Sequence, residues 1–128
     1  MGISTPFPSS ISRLSYLKRL TLDRNRISGL IPDEIGWLVN LTLLDLRDNK
    51  LTGEIPRAVG WLTKLEKFIL ADNNLKGAVP VELAQLKELI VVDLRNNYLN
   101  KGGEGPEMLM RLNRKSNSGK LEASFFAI

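Results

Sequence analysis

The sequence contains neither cysteine nor histidine in its 128 residues. Without cysteine no disulfide can form, so the chain is not cross-linked for an oxidising compartment. The same two absences exclude thiol catalysis and the thiolate and imidazole ligands that most transition-metal sites use. We therefore expect no metal and no cofactor.

Long apolar runs are also missing, and none approaches the roughly 18 residues of a membrane span. The N-terminal sequence Met-Gly-Ile-Ser-Thr-Pro-Phe-Pro has no basic start followed by an apolar stretch, so it does not resemble a signal peptide. As written, the sequence predicts a cytoplasmic protein without a membrane span. It predicts an extracellular one if the chain is a fragment of a longer secreted protein.

The charges show no concentration of one sign. The formal net charge is +4, but acidic and basic residues are interspersed along the whole chain. Nucleic-acid binding usually requires a basic stripe or patch. We therefore expect no nucleic-acid partner.

A period of 24 residues runs through most of the chain, and such a period indicates a repeat architecture. One column of identical residues is Asn25, Asn49, Asn73 and Asn97. A second column is Pro8, Pro32, Pro56 and Pro80, and a third is Leu14, Leu38, Leu62 and Leu86. So many columns in phase cannot arise by chance.

Each repeat contains a short stretch in which apolar residues alternate, as at Leu20 and Leu22 or at Leu44 and Leu46. This alternation predicts a strand with one buried face. The residues after each Ile-Pro or Val-Pro pair are too few for a long α-helix and predict compact 3₁₀ turns. Parallel strands on one side and short helical turns on the other should bend the stack into an arc.

The asparagine column follows the strands, where the chain must turn inward. A buried amide side chain can donate and accept hydrogen bonds at once, so it can connect the backbones of adjacent coils. We interpret these residues as a structural polar spine rather than as a binding site: Asn25, Asn49, Asn73 and Asn97.

The repeat resembles the plant-specific subtype of leucine-rich repeat over residues 3 to 99. Its pattern is Leu41-x-x-Leu44-x-Leu46-x-x-Asn49-x-Leu51-x-Gly53-x-Ile55-Pro56-x-x-Val59-Gly60-x-Leu62. The resemblance implies an α/β leucine-rich-repeat right-handed solenoid, a short horseshoe arc with four parallel strands on its concave face. It also implies a second short sheet beside the Gly-x-Ile-Pro turn. Relatives include ectodomains of receptor-like kinases, receptor-like proteins and polygalacturonase-inhibiting proteins, which bind peptides, hormones or other proteins.

The pattern breaks after Leu99, where Lys101 replaces the repeat glycine. We therefore divide the chain into a leucine-rich-repeat array, residues 1–100, with a partial first repeat, and a C-terminal capping segment, residues 101–128. Pro106 and Glu107 suit the first turn of a helix, which predicts a short helix over residues 106–115. The apolar end of the chain, from Leu121, is expected to pack as a cap or to fray.

The side chains between the buried strand positions should point to the concave face. Both charges and several exposed aliphatic residues occur there, a mixture that suits a protein or peptide partner. The alternative is a solvated sheet with ion pairs, each worth about 0–1 kcal/mol. The predicted partner-binding residues are Arg19, Thr21, Asp23, Leu43, Asp45, Arg47, Lys67, Ile69, Asp72, Val91, Asp93 and Arg95.

Trp37 and Trp61 occupy the same repeat position on the convex side. Two interpretations stay open, namely packing against one another and an exposed aromatic patch that binds a partner or a second copy.

Asn40 begins an Asn-Leu-Thr glycosylation motif, which matters only if the chain is secreted.

The sequence therefore predicts a protein- or peptide-binding module, in signalling or defence by resemblance to its relatives. One alternative is an inhibitor of a secreted carbohydrate-degrading enzyme, although that group usually carries cysteine caps. Another is a structural fragment that self-associates through the tryptophans or through an uncovered strand edge at residues 18–22. Catalysis is not expected, because the chain has no nucleophile elbow and no Gly-rich phosphate loop.

Overall fold

The fold comes from a computed structural model, which describes residues 5–100 and the backbone of residues 122–124. Ten strands and four 3₁₀ helices alternate along this part of the chain. The capping segment predicted over residues 101–128 lies outside the described residues except for its last strand. The helix predicted over residues 106–115 also lies outside them.

The main sheet consists of five parallel strands. Four of them follow the 24-residue period, as the alternation of apolar residues predicts: β2 (Arg19–Thr21), β4 (Leu43–Asp45), β6 (Lys67–Ile69) and β8 (Val91–Asp93). A fifth strand, β10 (Glu122–Ser124), pairs in parallel with β8. The order is β10-β8-β6-β4-β2, so the expectation of four strands was too low by one.

Shorter strands form the flank of the solenoid. The strands β1 (Thr5–Pro6), β3 (Ile27–Leu30) and β5 (Lys50–Thr52) pair in parallel. The strands β7 (Lys76–Gly77) and β9 (Tyr98–Leu99) make a second parallel pair. A bridge between Glu54 and Lys76 connects the two groups. The second sheet that the family resemblance implies is therefore present, and the partial first repeat contributes its first strand.

The convex side consists of 3₁₀ helices, as the short segments predict. They span Ser9–Arg13, Asp33–Trp37, Arg57–Trp61 and Val81–Gln85. An extended proline precedes each one, namely Pro8, Pro32, Pro56 and Pro80. Proline suits this position because it fixes φ and has no N–H group to leave unpaired.

Each coil turns through two left-handed backbone positions. The first follows the main strand, at φ 57–60°, and is occupied by Arg24, Asp48, Asp72 and Asn96. The second lies on the flank, at φ 73–80°, and is occupied by Gly29, Gly53 and Gly77. The repeat glycines explain the second turn, since glycine adopts positive φ without a steric cost. The first turn has no glycine, so the repeat pattern predicted an inward turn here but not its left-handed conformation.

The leucine columns fill one continuous core between the sheets and the 3₁₀ helices. Twelve of its largest side chains are fully buried, among them Phe68, Leu44 and Leu65. Consecutive coils contribute side chains at the same height, so each coil covers the apolar face of the one before it. The strands are therefore held in register, and their alternate side chains form one outward surface.

Asparagine side chains connect neighbouring coils beneath the left-handed turn that follows each main strand. Asn73 donates from Nδ2 to the carbonyl oxygen of Leu46 (2.9 Å) and accepts at Oδ1 from the N–H of Leu51 (3.1 Å). Asn49 and Asn97 make the equivalent pairs of bonds to the coil before them. Asn25 departs from the predicted four-member spine, because it is exposed and donates to two carbonyl oxygens of its own coil.

Candidate protein-binding surface

The main sheet aligns the predicted partner-binding residues in columns across its coils. Arg19, Leu43, Lys67 and Val91 are register partners in the first column. Thr21, Asp45, Ile69 and Asp93 form the second column. The structure thus places these residues side by side, about 4.8 Å apart from one coil to the next.

Two coils carry an aspartate–arginine pair. The Nε of Arg95 donates to Oδ1 of Asp93 at 2.9 Å, and its Nη2 donates to Oδ2 at 3.0 Å. In the other pair, Nε of Arg47 lies 3.4 Å from Oδ2 of Asp45. Each aspartate also accepts the backbone N–H of its arginine. Two hydrogen bonds thus orient the guanidinium of Arg95, and a single contact holds that of Arg47 beside Asp45. Both arginine side chains remain about half exposed.

The aspartate of the ion pair is more buried than a residue that contacts a binding partner should be. Asp45 is only 6 % exposed, so it positions Arg47 rather than presenting its carboxylate to a partner. Burial by itself would raise the pKa of Asp93, but the hydrogen bonds from the side chain and backbone of Arg95 lower that pKa overall. Both aspartates therefore act mainly to position an arginine side chain.

The coil between these pairs has different chemistry. Lys67 is exposed, Ile69 is half-buried, and the small side chain of Ala71 is buried. In column order the small, buried Ala71 stands between Arg47 and Arg95. An anionic group placed over Ala71 would lie between two arginines, while Ile69 offers apolar contact beside it.

The remaining predicted residues lie at the two ends of this surface. Asp23 lies 3.9 Å from Nε of Arg24 in the first coil. Asp72 is exposed at the left-handed turn, where its Oδ1 accepts a hydrogen bond from Nδ2 of Asn96 at 2.7 Å. Lys50 and Tyr98, at the neighbouring edge, belong to flank strands and not to the main sheet.

The two tryptophans lie on the convex side at the ends of their 3₁₀ helices, with 60 % of Trp37 and 57 % of Trp61 exposed. The ring of Trp61 packs over the preceding coil, since a Cβ added to Gly36 would come within 2.7 Å of its Cε3. One face of Trp61 therefore covers the neighbouring coil. The rest of both rings stays open to solvent.

Asn40 lies in a hydrogen-bonded chain that crosses three coils. Its Nδ2 donates to the carbonyl oxygen of Ser15 at 3.0 Å, and its Oδ1 accepts from Nζ of Lys64 at 3.0 Å. Its amide nitrogen, the atom that would carry a glycan, thus has a structural partner in the folded chain.

Residues 5–100 and 122–124 contain no group of three acidic, histidine or cysteine side chains placed to hold a metal ion. They also contain no helix that is both long and apolar enough to span a membrane.

The pairing of aspartate with arginine was missed at the level of sequence. A signal for it was present, because Asp-x-Arg occurs at Asp45 and again at Asp93, 48 residues later. Residues two apart on a strand point to the same side. In these two coils the aspartate that ends the strand therefore pairs with the arginine two residues later.

Comparisons with known proteins agree with this geometry. A family model described as leucine rich repeat matches residues 3–51. The ectodomain of the Arabidopsis receptor kinase HAESA, solved with a peptide hormone ligand, is 32 % identical with a TM-score of 0.84, and the match covers 97 % of this chain and 20 % of that one. A TDR receptor is 34 % identical with a TM-score of 0.83, covering 95 % of this chain and 20 % of that one.

A third structure is more nearly matched in length. The BIR2 ectodomain from Arabidopsis thaliana is 32 % identical with a TM-score of 0.78, and the match covers 99 % of this chain and 65 % of that one. The chain thus spans a fifth of the first two relatives and less than two thirds of the third. A comparison with curated protein sequences found no match.

The fold, the 24-residue unit and these similarities define the class of protein. The chain folds as a leucine-rich-repeat solenoid, and it is similar to the plant receptor ectodomains that contain such repeats. The solved structures to which it is similar include ectodomains of plant receptors.

Proposed function

We propose that this chain is a protein- or peptide-binding module that recognises its partner on the concave sheet, in signalling or defence. The observation that supports this proposal most is that Arg47 and Arg95, each paired with an aspartate, stand on either side of the small Ala71. Arg47 and Arg95 are held by Asp45 and Asp93, so little side-chain entropy is lost when a partner binds them. The half-buried Leu43, Ile69 and Val91 add apolar contact beside the arginines.

The similar receptors support the same assignment. HAESA was solved with a peptide hormone bound to its leucine-rich-repeat ectodomain, and other similar structures include a plant peptide hormone receptor in complex with its peptide. Because the chain spans only part of those proteins, a role in signalling or defence is proposed by analogy with them. The surface chemistry of residues 19–95 supports partner binding independently of that analogy.

A peptide selection tests the proposal without a known partner. Random peptides displayed on phage would be selected on the wild-type chain, and the selected peptides would then be measured against R47E/R95E. We expect their affinity to fall by at least about tenfold, because the variant leaves negative charge beside Asp45 and Asp93. Fluorescence anisotropy with labelled peptides provides the measurement.

The matched control is R13E/R57E, which makes the same charge change at two exposed residues of the 3₁₀ helices. Its peptide affinity should equal that of the wild type. Circular dichroism and thermal unfolding would verify that both double variants are folded. If the selected peptides bind R47E/R95E as tightly as the wild type, the concave face is not the binding surface.

A further inference from the structure

The convex side carries an aromatic patch at the centre of its four described 3₁₀ helices. Trp37 and Trp61 end the second and third of these helices, with 60 % and 57 % of their surface exposed. At the same repeat position the first helix ends at Arg13 and the fourth at Gln85. Aromatic residues in the middle with polar residues on both sides are the composition of a protein interface.

The backbone beneath this patch is closely packed. A Cβ at Gly36 would come within 2.6 Å of the backbone oxygen of Ala58 and within 2.7 Å of the ring of Trp61. The ring of Trp61 therefore lies against the preceding coil, and the two central helices form one packed surface. A partner that binds there meets a side chain that is already placed, so little entropy is lost in ordering it.

Side chains of opposite charge stand at the other end of the same two helices. Asp33 begins the second 3₁₀ helix and Arg57 begins the third, and both side chains are exposed. Neither takes part in an ion pair within residues 5–100. Each lies four residues before a tryptophan, so the two central coils share one layout and differ in the sign of its charge.

This layout makes the patch complementary to itself. A two-fold axis that runs between the two central coils, parallel to their helices, brings the second coil of one copy against the third coil of the other. Trp37 then faces Trp61 of the second copy, Asp33 faces Arg57 of the second copy, and each contact occurs twice. The outer coils meet as well, with Arg13 opposite Gln85. Aligned in this way, the four helices bring no two like charges together.

Other axes are less favourable. An axis through the second coil opposes two copies of Asp33, and an axis through the third coil opposes two copies of Arg57, so each brings like charges together. An axis along the stack pairs each helix with its own copy in reverse. Arg57 then meets the ring of Trp61, but the carboxylate of Asp33 meets the negative face of the Trp37 ring.

We propose that the convex face joins two copies of this chain across the axis between the central coils, through the contacts Trp37–Trp61 and Asp33–Arg57. This dimer does not depend on what the concave sheet binds. Because the convex sides meet, both concave sheets stay open and face away from each other. Dissociation of the dimer should therefore leave the affinity of a single concave sheet for a peptide unchanged.

The available contact area makes the dimer weak. Two convex faces touch only at their centres, and a tryptophan side chain buries up to about 250 Å². Four rings, each with about 60 % exposed, thus supply on the order of 600 Å² of contact. Stable interfaces bury roughly 1,200 Å² or more, so we expect an association that depends on protein concentration.

Sedimentation equilibrium between about 10 μM and about 1 mM measures this association. The weight-average mass of the wild type should rise with concentration from that of the monomer towards that of the dimer. Trp37→Ser should weaken the association at least about tenfold, because the ring is lost from two contacts. The control is Tyr98→Ser, which removes an aromatic ring that is 72 % exposed on the flank and should change nothing.

A charge exchange between two variants tests the axis. Asp33→Arg opposes two arginines and Arg57→Asp opposes two aspartates, so each variant alone should associate at least about tenfold more weakly than the wild type. Mixed in equal amounts, they should form a heterodimer in which both contacts again join opposite charges. Both variants keep a net positive charge, so overall attraction does not favour the mixture. The control Lys50→Asp, at an exposed residue of a flank strand, should not restore association with Asp33→Arg.

Three outcomes would contradict the dimer. A wild type that stays monomeric at about 1 mM would exclude it. An unchanged mass for the mixed variants, relative to each alone, would show that Asp33 and Arg57 do not meet. Stronger association of Asp33→Arg alone would indicate the reversed axis, because its new cation would then lie over the ring of Trp37.

Discussion

Asn73 and Leu46 are joined across two coils, because Nδ2 of the asparagine donates to the carbonyl oxygen of the leucine at 2.9 Å. The same amide accepts the N–H of Leu51 through Oδ1 at 3.1 Å. One buried side chain thus satisfies two backbone groups of the preceding coil. The leucine columns supply the apolar contact between coils, and this amide supplies the polar contact.

Replacing Asn73 by alanine should lower the free energy of unfolding by about 1–3 kcal/mol, since the buried N–H of Leu51 loses its partner. The carbonyl oxygen of Leu46 keeps only its hydrogen bond from Nδ2 of Asn49. Urea denaturation followed by circular dichroism measures the change. The control is Asn74→Ala, a truncation at the next residue, which is exposed. A loss at Asn73 no greater than that at Asn74 would show that water replaces the amide without cost.

The Asp93–Arg95 pair predicts a pH effect. The folded pKa of Asp93 lies below its ordinary value, so the pair contributes stability above the unfolded pKa of about 3.9, and this contribution is lost as the pH falls through the folded pKa. In R95Q the pKa of Asp93 should rise. The difference in stability between the wild type and R95Q should therefore shrink as the pH falls from about 5 through the folded pKa of Asp93.

NMR titration of the Asp93 carboxyl carbon would measure the pKa, and urea midpoints across this pH range would measure the stability. The control R13Q neutralises an exposed arginine on the convex side and should leave the pKa of Asp93 unchanged. An identical Asp93 titration in R95Q and the wild type would contradict the proposed role of the guanidinium.

Gly36 marks the closest approach between neighbouring 3₁₀ helices. A Cβ there would come within 2.6 Å of the backbone oxygen of Ala58 and within 2.7 Å of Trp61. Because the backbone oxygen cannot move independently of its coil, Gly36→Ala should destabilise the fold by about 1–3 kcal/mol. The urea midpoint measures this change.

The control for this substitution is Ala84→Gly, at the same repeat position two coils later. It should cost only about 0.5–1 kcal/mol, the usual effect of added backbone freedom. If Gly36→Ala proves neutral, the two coils are less tightly packed than the contact with Trp61 indicates.

Much of the fold follows from periodicity in the sequence. The alternation around Leu44 and Leu46 predicts β4, and the following Gly-x-Ile-Pro element predicts the flank turn at Gly53. Such features are local, so each repeat specifies its own strand and turn. The alignment of the outward-facing strand residues also follows, because the register of a parallel stack is fixed once the buried positions are known.

Other features depend on contacts that no repeat specifies. The strand β10 lies 31 residues after its register partner in β8, outside the 24-residue period and without its leucine pattern. Asn25 shares the repeat position of Asn73 but is exposed in the first coil, since burial depends on the neighbours that a coil has. The assignment of particular residues to a partner stays a prediction, because sequence and geometry define a surface but not its occupant.

The left-handed turn after each strand has a consequence for how the chain can diverge. Its four positions hold a cation, two anions and a neutral amide, all at φ close to 60°. Side chains branched at Cβ are disfavoured in this conformation, whereas asparagine and aspartate are enriched in it. Substitution at these four positions can therefore reverse the electrostatic potential at this edge of the main sheet while the backbone keeps its path. Related chains can thus change their preferred partner without refolding.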